Sequence, residues 1–143
     1  GLVGGLDWKY RLSSRTSSVI GLERGFVESS FFQNPNYVAT GINASLAHNF
    51  TSKLYTRASI DFDRDTYPNE VPRGTALAER EDDSTSFSLA LGFDVLDWLT
   101  LEVEGTRNSR DSSFDEFDYD ENRVMFFVRA GYGSVQKLMR RSE

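Results

Sequence analysis

The chain has no cysteine, one histidine and three prolines in 143 residues. The missing cysteines exclude disulfides, thiolate metal sites and cysteine nucleophiles together. A single histidine, His48, excludes the usual zinc sets and makes any Ser-His-Asp triad depend on that one residue. It has no second histidine and no paired nucleophile, so it reads as a polar contact at a turn end. No catalytic residue, metal site or cofactor is expected, and the chain does not read as an enzyme. Runs of about 18 apolar residues are absent too, which excludes a transmembrane helix. Basic residues number 16 against 22 acidic ones, a net charge of −6. Binding to phosphate backbones needs the opposite balance, so nucleic acid is not an expected partner. The acidic stretch Asp111, Asp115, Glu116, Asp118, Asp120 and Glu121 lacks the ligand spacing of a calcium loop and reads as a solvated connection.

What the chain does have is aromatic residues, 13% of the total, too many for disorder. It also has an insistent period of two. From Tyr37 to Phe50, Val38, Thr40, Ile42, Ala44 and Leu46 alternate with Ala39, Gly41, Asn43, Ser45 and Ala47. Leu54, Thr56, Ala58, Ile60 and Phe62 then oppose Tyr55, Arg57, Ser59, Asp61, Asp63 and Asp65. Thr85 to Val95 and Leu99 to Thr106 repeat the pattern. Leu2–Leu12 and Arg123–Tyr132 follow it less cleanly. Val19–Val27 is mixed, because Arg24 shares a side with Ile20, Leu22 and Phe26, and a bulge or an early strand end is expected there. No coherent helical stripe runs through these segments.

Seven strands of roughly 9 to 14 residues are therefore expected. Short links at Ser13–Ser17, Asn49–Lys53 and Leu96–Trp98 alternate with long polar ones at Glu28–Asn36, Pro68–Asp83 and Ser109–Asp120. That arrangement is an up-and-down antiparallel β-sheet. Strands of about 9–11 residues match a tilted bilayer crossing.

Alternation alone does not say which face is wet. A soluble barrel or sandwich buries the apolar face, whereas a transmembrane barrel turns it to lipid. Three features favour lipid. The other face is rich in Gly, Ala, Ser, Asn and opposed charges. Aromatics collect near strand ends, as an interfacial girdle would place Trp8, Tyr10, Phe26, Tyr37, Phe50, Tyr67, Trp98, Tyr119 and Tyr132. Short links on one side oppose long acidic ones on the other. The fold class expected is all-β, an up-and-down antiparallel transmembrane β-barrel.

With the long links outside, the first and last strands both run inward. A single-chain bacterial barrel needs an even strand number. Seven strands imply the C-terminal part of a larger barrel, one protomer of a shared barrel, or an unrecognised strand. Residues 1–132 hold the strands and loops, and 133–143 read as a periplasmic tail. Pore-lining candidates are Arg57, Asp61, Asp63 and Asp65 on one stripe, Glu102 and Glu104 on another, with Arg123 and Arg129 able to oppose them. Either these charges line a pore or they pair to pack a closed interior.

The stretches Ser18-Val-Ile-Gly-Leu-Glu-Arg-Gly-Phe, Tyr37-Val-Ala-Thr-Gly, Asp94-Val-Leu-Asp-Trp-Leu-Thr-Leu, Asn108-Ser-Arg-Asp-Ser-Ser and Tyr119-Asp-Glu-Asn-Arg-Val resemble the outer-membrane β-barrel porins found with bacterial exopolysaccharide operons. The resemblance covers about residues 17–132. It implies an aspartate-tryptophan turn between two strands, an Arg-Asp-Ser motif ending an outward strand and a Tyr-Asp-x-Asn-Arg-Val opening of the final one. It also implies a location in the Gram-negative outer membrane, among lipid and lipopolysaccharide. The expected function is passage of small solutes or assistance to exopolysaccharide export, with exopolysaccharide or other envelope proteins as partners. The alternatives are a closed structural anchor or scaffold in an envelope complex, and a soluble lipocalin-like binding barrel.

Overall fold

The computed structural model describes residues 3–29, 35–73 and 76–131. They form one antiparallel sheet of seven strands in sequence order. The strands are β1 (Gly4–Ser13), β2 (Thr16–Glu28), β3 (Asn36–Asn49), β4 (Leu54–Arg73), β5 (Ala76–Leu96), β6 (Leu99–Ser112) and β7 (Tyr119–Ala130). A single 3-10 turn, Asp115–Phe117, precedes β7.

Because side chains alternate along a strand, register decides which residues share a face. The β2–β3 ladder runs unbroken from Thr16↔His48 to Glu28↔Asn36. The bulge expected near Arg24 is therefore absent. Arg24 pairs with Gly4 and Thr40 and keeps the parity of Ile20 and Leu22. A charge is tolerated there because the position marks the end of the apolar stretch. The same ladder row continues through Thr40 to Arg64 and Asp83, which form an ion pair at 2.7 Å. Between the short turn and this row, β4 presents Leu54, Thr56, Ala58, Ile60 and Phe62, and β5 presents Thr85, Phe87, Leu89, Leu91 and Phe93. Nine residues rise about 30 Å, and at a tilt near 40° they cover about 23 Å, close to the apolar band of a membrane barrel.

One of the expected long connections is mostly strand instead, and a second is strand at both of its ends. β4 is 20 residues long and β5 is 21, so the segment Pro68–Asp83 is mostly a two-stranded ribbon. β6 likewise runs on to Ser112. Above the apolar band nothing demands an apolar face, so the alternation that reveals a strand in the sequence fades although the pairing continues. Pro68 is accommodated where the β4–β5 register shifts, between Tyr67 and Val71, since proline cannot donate to a regular ladder.

Burial is inverted relative to a water-soluble sheet. The large side chains of the apolar face are bare, reaching 81% exposure at Phe126, while Asp82 and Glu102 on the opposite face are 0% and 3% exposed. Among the described residues, the only buried hydrophobic ones are Tyr67, Ala90 and Phe114. Side chains converge on the polar face and diverge on the apolar one. A Cβ added to Gly41 would collide with the Asp63 carboxylate, and one added to Gly92 with the Tyr55 ring, whereas a Cβ on Gly105, of apolar-face parity, would meet nothing within 4 Å. The sheet thus curls with its polar face inward. Its two edges, β1 and β7, do not pair with each other, and both run from the long-connection end to the short-turn end.

Candidate functional site: the polar wall and its rim

Arg57, Asp61, Asp63 and Asp65 occupy alternate positions of β4, with Glu102 and Glu104 on β6 and Arg123 and Arg129 on β7. The ladders place all eight on the inner face. They do not form one stripe of like behaviour. Near the short-turn end, Arg57, Glu102 and Arg129 come together around one carboxylate. Glu102 accepts hydrogen bonds from Arg57 Nη2 at 2.8 and 2.9 Å, from Arg129 Nη1 and Nη2 at 3.2 and 2.8 Å, and from the Tyr55 hydroxyl at 2.7 Å. Its side chain is fully covered, while the two arginines stay about half exposed. Tyr55 reaches Glu102 because its cross-strand partners are Asn49 and Gly92, and the bare glycine backbone lets the ring lie flat across β5. Arg123 pairs with Glu121 at 2.8 Å.

Asp61 and Asp63 behave differently. No ion pair to either is formed among the described residues, and their neighbours in the ladder, Asn43, Ser86, Gly41 and Ser84, are small and neutral. Asp65 continues this row beyond the Arg64–Asp83 rung, above the apolar band. Burial pushes its carboxyl up to about 6; Arg110 opposes the rise, and Asp82 and Asp63 add to it.

Past Asp65 lies a rim that sequence reasoning missed. Arg80 donates to Asp82 (Nε–Oδ1 2.9 Å), and its guanidinium lies 4.6 Å from the Tyr67 ring centre and 3.4 Å from that of Phe117. Tyr67 in turn stacks on Tyr37 with ring centres 5.0 Å apart. The Ser112 hydroxyl donates to Asp82, and Asp118 accepts the Ser112 backbone N–H at 2.7 Å. Ser113 and Glu81 exchange backbone and side-chain bonds, so the β6–β7 connection is strapped to the inner side of the β4–β5 ribbon. The acidic connection is partly consumed in this way, Asp118 being a structural acceptor. Just below the rim, Tyr37, Asp63, Asp65, Asn108, Arg110 and Tyr119 border a recess of about 320 Å³.

These contacts correct the expected aromatic girdle. Tyr37, Tyr67 and Tyr119 have the parity of the polar face, and Tyr67 is buried. Alternation within each strand already sets Tyr37 in phase with Ala39 and Gly41, and Tyr67 in phase with Asp63 and Asp65, and their hydroxyl-bearing rings serve the rim instead. Trp8, Tyr10 and Phe26 share the apolar face, with Trp8 in mid-strand opposite Ile20. Phe50 and Trp98 stand exposed at short turns. Tyr132 and the expected tail 133–143 lie outside the described residues.

An antiparallel meander with a covered, charged concave face and a bare apolar convex face has the architecture of a transmembrane β-barrel wall. The sheet is open, so the wall is partial. The sequence matches the family described as "Putative beta-barrel porin 2" over residues 2–132, and the chain belongs to that family. No curated protein and no solved structure matches it.

Proposed function

We propose that the seven strands form one sector of a porin in the bacterial outer membrane, with the apolar face in lipid and the polar face lining a water-filled lumen. The observation that carries this reading is the inverted burial: Glu102 is covered while Phe126 is bare. In water that distribution would be costly on both faces, and in a bilayer it is favourable on both. The short turns face the periplasm and the β4–β5 ribbon projects outside. Both sheet edges run inward, so an all-antiparallel closed barrel needs an odd number of further strands beginning and ending with an outward one. Two copies of this sheet joined edge to edge would meet in parallel seams, which disfavours a barrel built from this sheet alone.

Small hydrophilic solutes are the class that such a wall passes. Its family likeness to the porins of exopolysaccharide operons adds assistance to exopolysaccharide export as the finer reading. The scaffold reading is favoured by one observation, the saturation of Glu102 by three internal donor groups, which is how a packed interior is built. Planar-bilayer recording separates the two. Discrete conductance steps from the purified protein support the pore, and membranes that stay silent support the closed scaffold.

A further inference from the structure

The charges on the inner face of β1–β4 are sorted along the barrel axis. On β1, Asp7 lies toward the outer end and Lys9 and Arg11 toward the periplasmic end. On β4, Asp61, Asp63 and Asp65 lie outward of Arg57. Glu23 on β2 sits in the same ladder row as Asp63, across Gly41. The division is sharp: one row joins Asp7 to Asp61 through Gly21 and Asn43, and the row two residues inward joins Lys9 to Ser59 through Val19 and Ser45. Among the described residues, none of Asp7, Glu23, Asp61 or Asp63 is held in an ion pair, and neither are Lys9 and Arg11. The inner face of β3 between them carries no charge at all, only Gly41, Asn43, Ser45 and Ala47 flanked by other small or polar groups. The exceptions lie on β5 and β6. There Asp82 is matched by Arg80 and Arg110 and Glu102 by two arginines, and on the periplasmic half Asp94 accepts the Thr100 hydroxyl at 2.7 Å.

We propose that the β1–β4 wall makes the lumen an ionic rectifier, admitting cations at its acidic outer half and passing more current when the outside is positive. The inference rests on the pore reading above. A fixed negative wall concentrates cations and excludes anions within a screening length, about 10 Å at 0.1 M salt, which is comparable with a pore radius. The periplasmic half, neutral to slightly basic, does not exclude anions. With the outside positive, cations move from the zone rich in them toward the junction of the two halves, and anions arrive there from the other side. Ions accumulate at the junction and conductance rises. With the polarity reversed both carriers are drawn away, and the junction is depleted.

Current–voltage curves of single channels of the whole protein in symmetric KCl test this. The insertion direction is read from a Ser52→Cys variant at a short turn, labelled from one chamber; these 143 residues carry no other thiol, and any cysteine elsewhere in the protein is first replaced by serine. In 0.1 M KCl the current with the outside positive should exceed the reverse by about twofold, and the ratio should approach one in 1 M KCl, where the screening length is about 3 Å. Asp61→Asn with Asp63→Asn should lower the ratio and the cation preference measured as a reversal potential in a salt gradient. Lys9→Gln with Arg11→Gln should lower the ratio while leaving the cation preference intact or raised. Conducting channels with symmetric currents at 0.1 M, or rectification indifferent to the aspartate changes, overturn the inference but leave the pore standing. Silent membranes overturn both.

Discussion

Glu102→Gln tests the most concentrated electrostatic feature of the wall. The carboxylate accepts from two guanidinium groups and one phenol, and is itself out of solvent. Gln is nearly isosteric, keeps one acceptor oxygen and removes the charge. Breaking a buried ion pair from one side costs about 3–5 kcal/mol, because the partner charge is left uncompensated. Here the partners are Arg57 and Arg129, with side chains 50% and 46% exposed, so both can turn toward lumen water and recover part of that cost. The expected loss is therefore about 2–3 kcal/mol. Reversible urea unfolding from lipid vesicles, followed by Trp8 and Trp98 fluorescence, should show a midpoint lowered by about 0.7–3 M for a slope of about 1–3 kcal/mol per M. Adding Arg57→Gln to the variant should cost less than adding it to the parent protein, a coupling of about 1 kcal/mol or more. A Glu102→Gln variant within about 0.5 kcal/mol of the parent would refute the reasoning, since a surface carboxylate behaves that way.

Three other perturbations read different parts of the molecule. Leu89→Arg, in the middle of the apolar face, should destabilise the inserted protein by about 2–4 kcal/mol, whereas Ser88→Arg on the polar face should cost far less; equal effects in the same vesicle assay would mean the faces are misassigned. Gly92→Val should displace the Tyr55 ring from β5 and cost about 1–3 kcal/mol, with the loss largely abolished in a Tyr55→Ala background. Asp65, raised to about 6 from 3.8, favours the folded rim when protonated. Its contribution is fully present below the unfolded value near 4 and is lost as pH rises through 6, so the connection 113–118 should show slower amide exchange at pH 4 than the intrinsic rate alone explains. Asp65→Asn should flatten that dependence, and a profile unchanged by the substitution counts against the assignment.

The sequence by itself determined that these segments are strands, how many there are, where the short turns fall and which residues share a face within each strand. Those features follow from a local rule, the alternation of side chains across a pleated backbone, and each strand crossing the apolar band must obey it. Arg57, Asp61 and Asp63 are assigned to one face by that rule alone. Tertiary structure decided everything that depends on register between strands. Tyr55 meets Gly92 and Glu102, and Arg57 and Arg129 share the Glu102 carboxylate, only because a particular pairing is chosen, and no residue's own sequence neighbourhood encodes it. Arg24 looked like a defect when β2 was read alone and became one rung of a charged row once Thr40, Arg64 and Asp83 were aligned with it. The ribbon beyond Tyr67 was hidden for a further reason. Outside the apolar band both faces are polar, so pairing persists there without the periodicity that reports it, held by Arg80, Asp82, Phe114 and Phe117 instead of by a lipid-facing stripe.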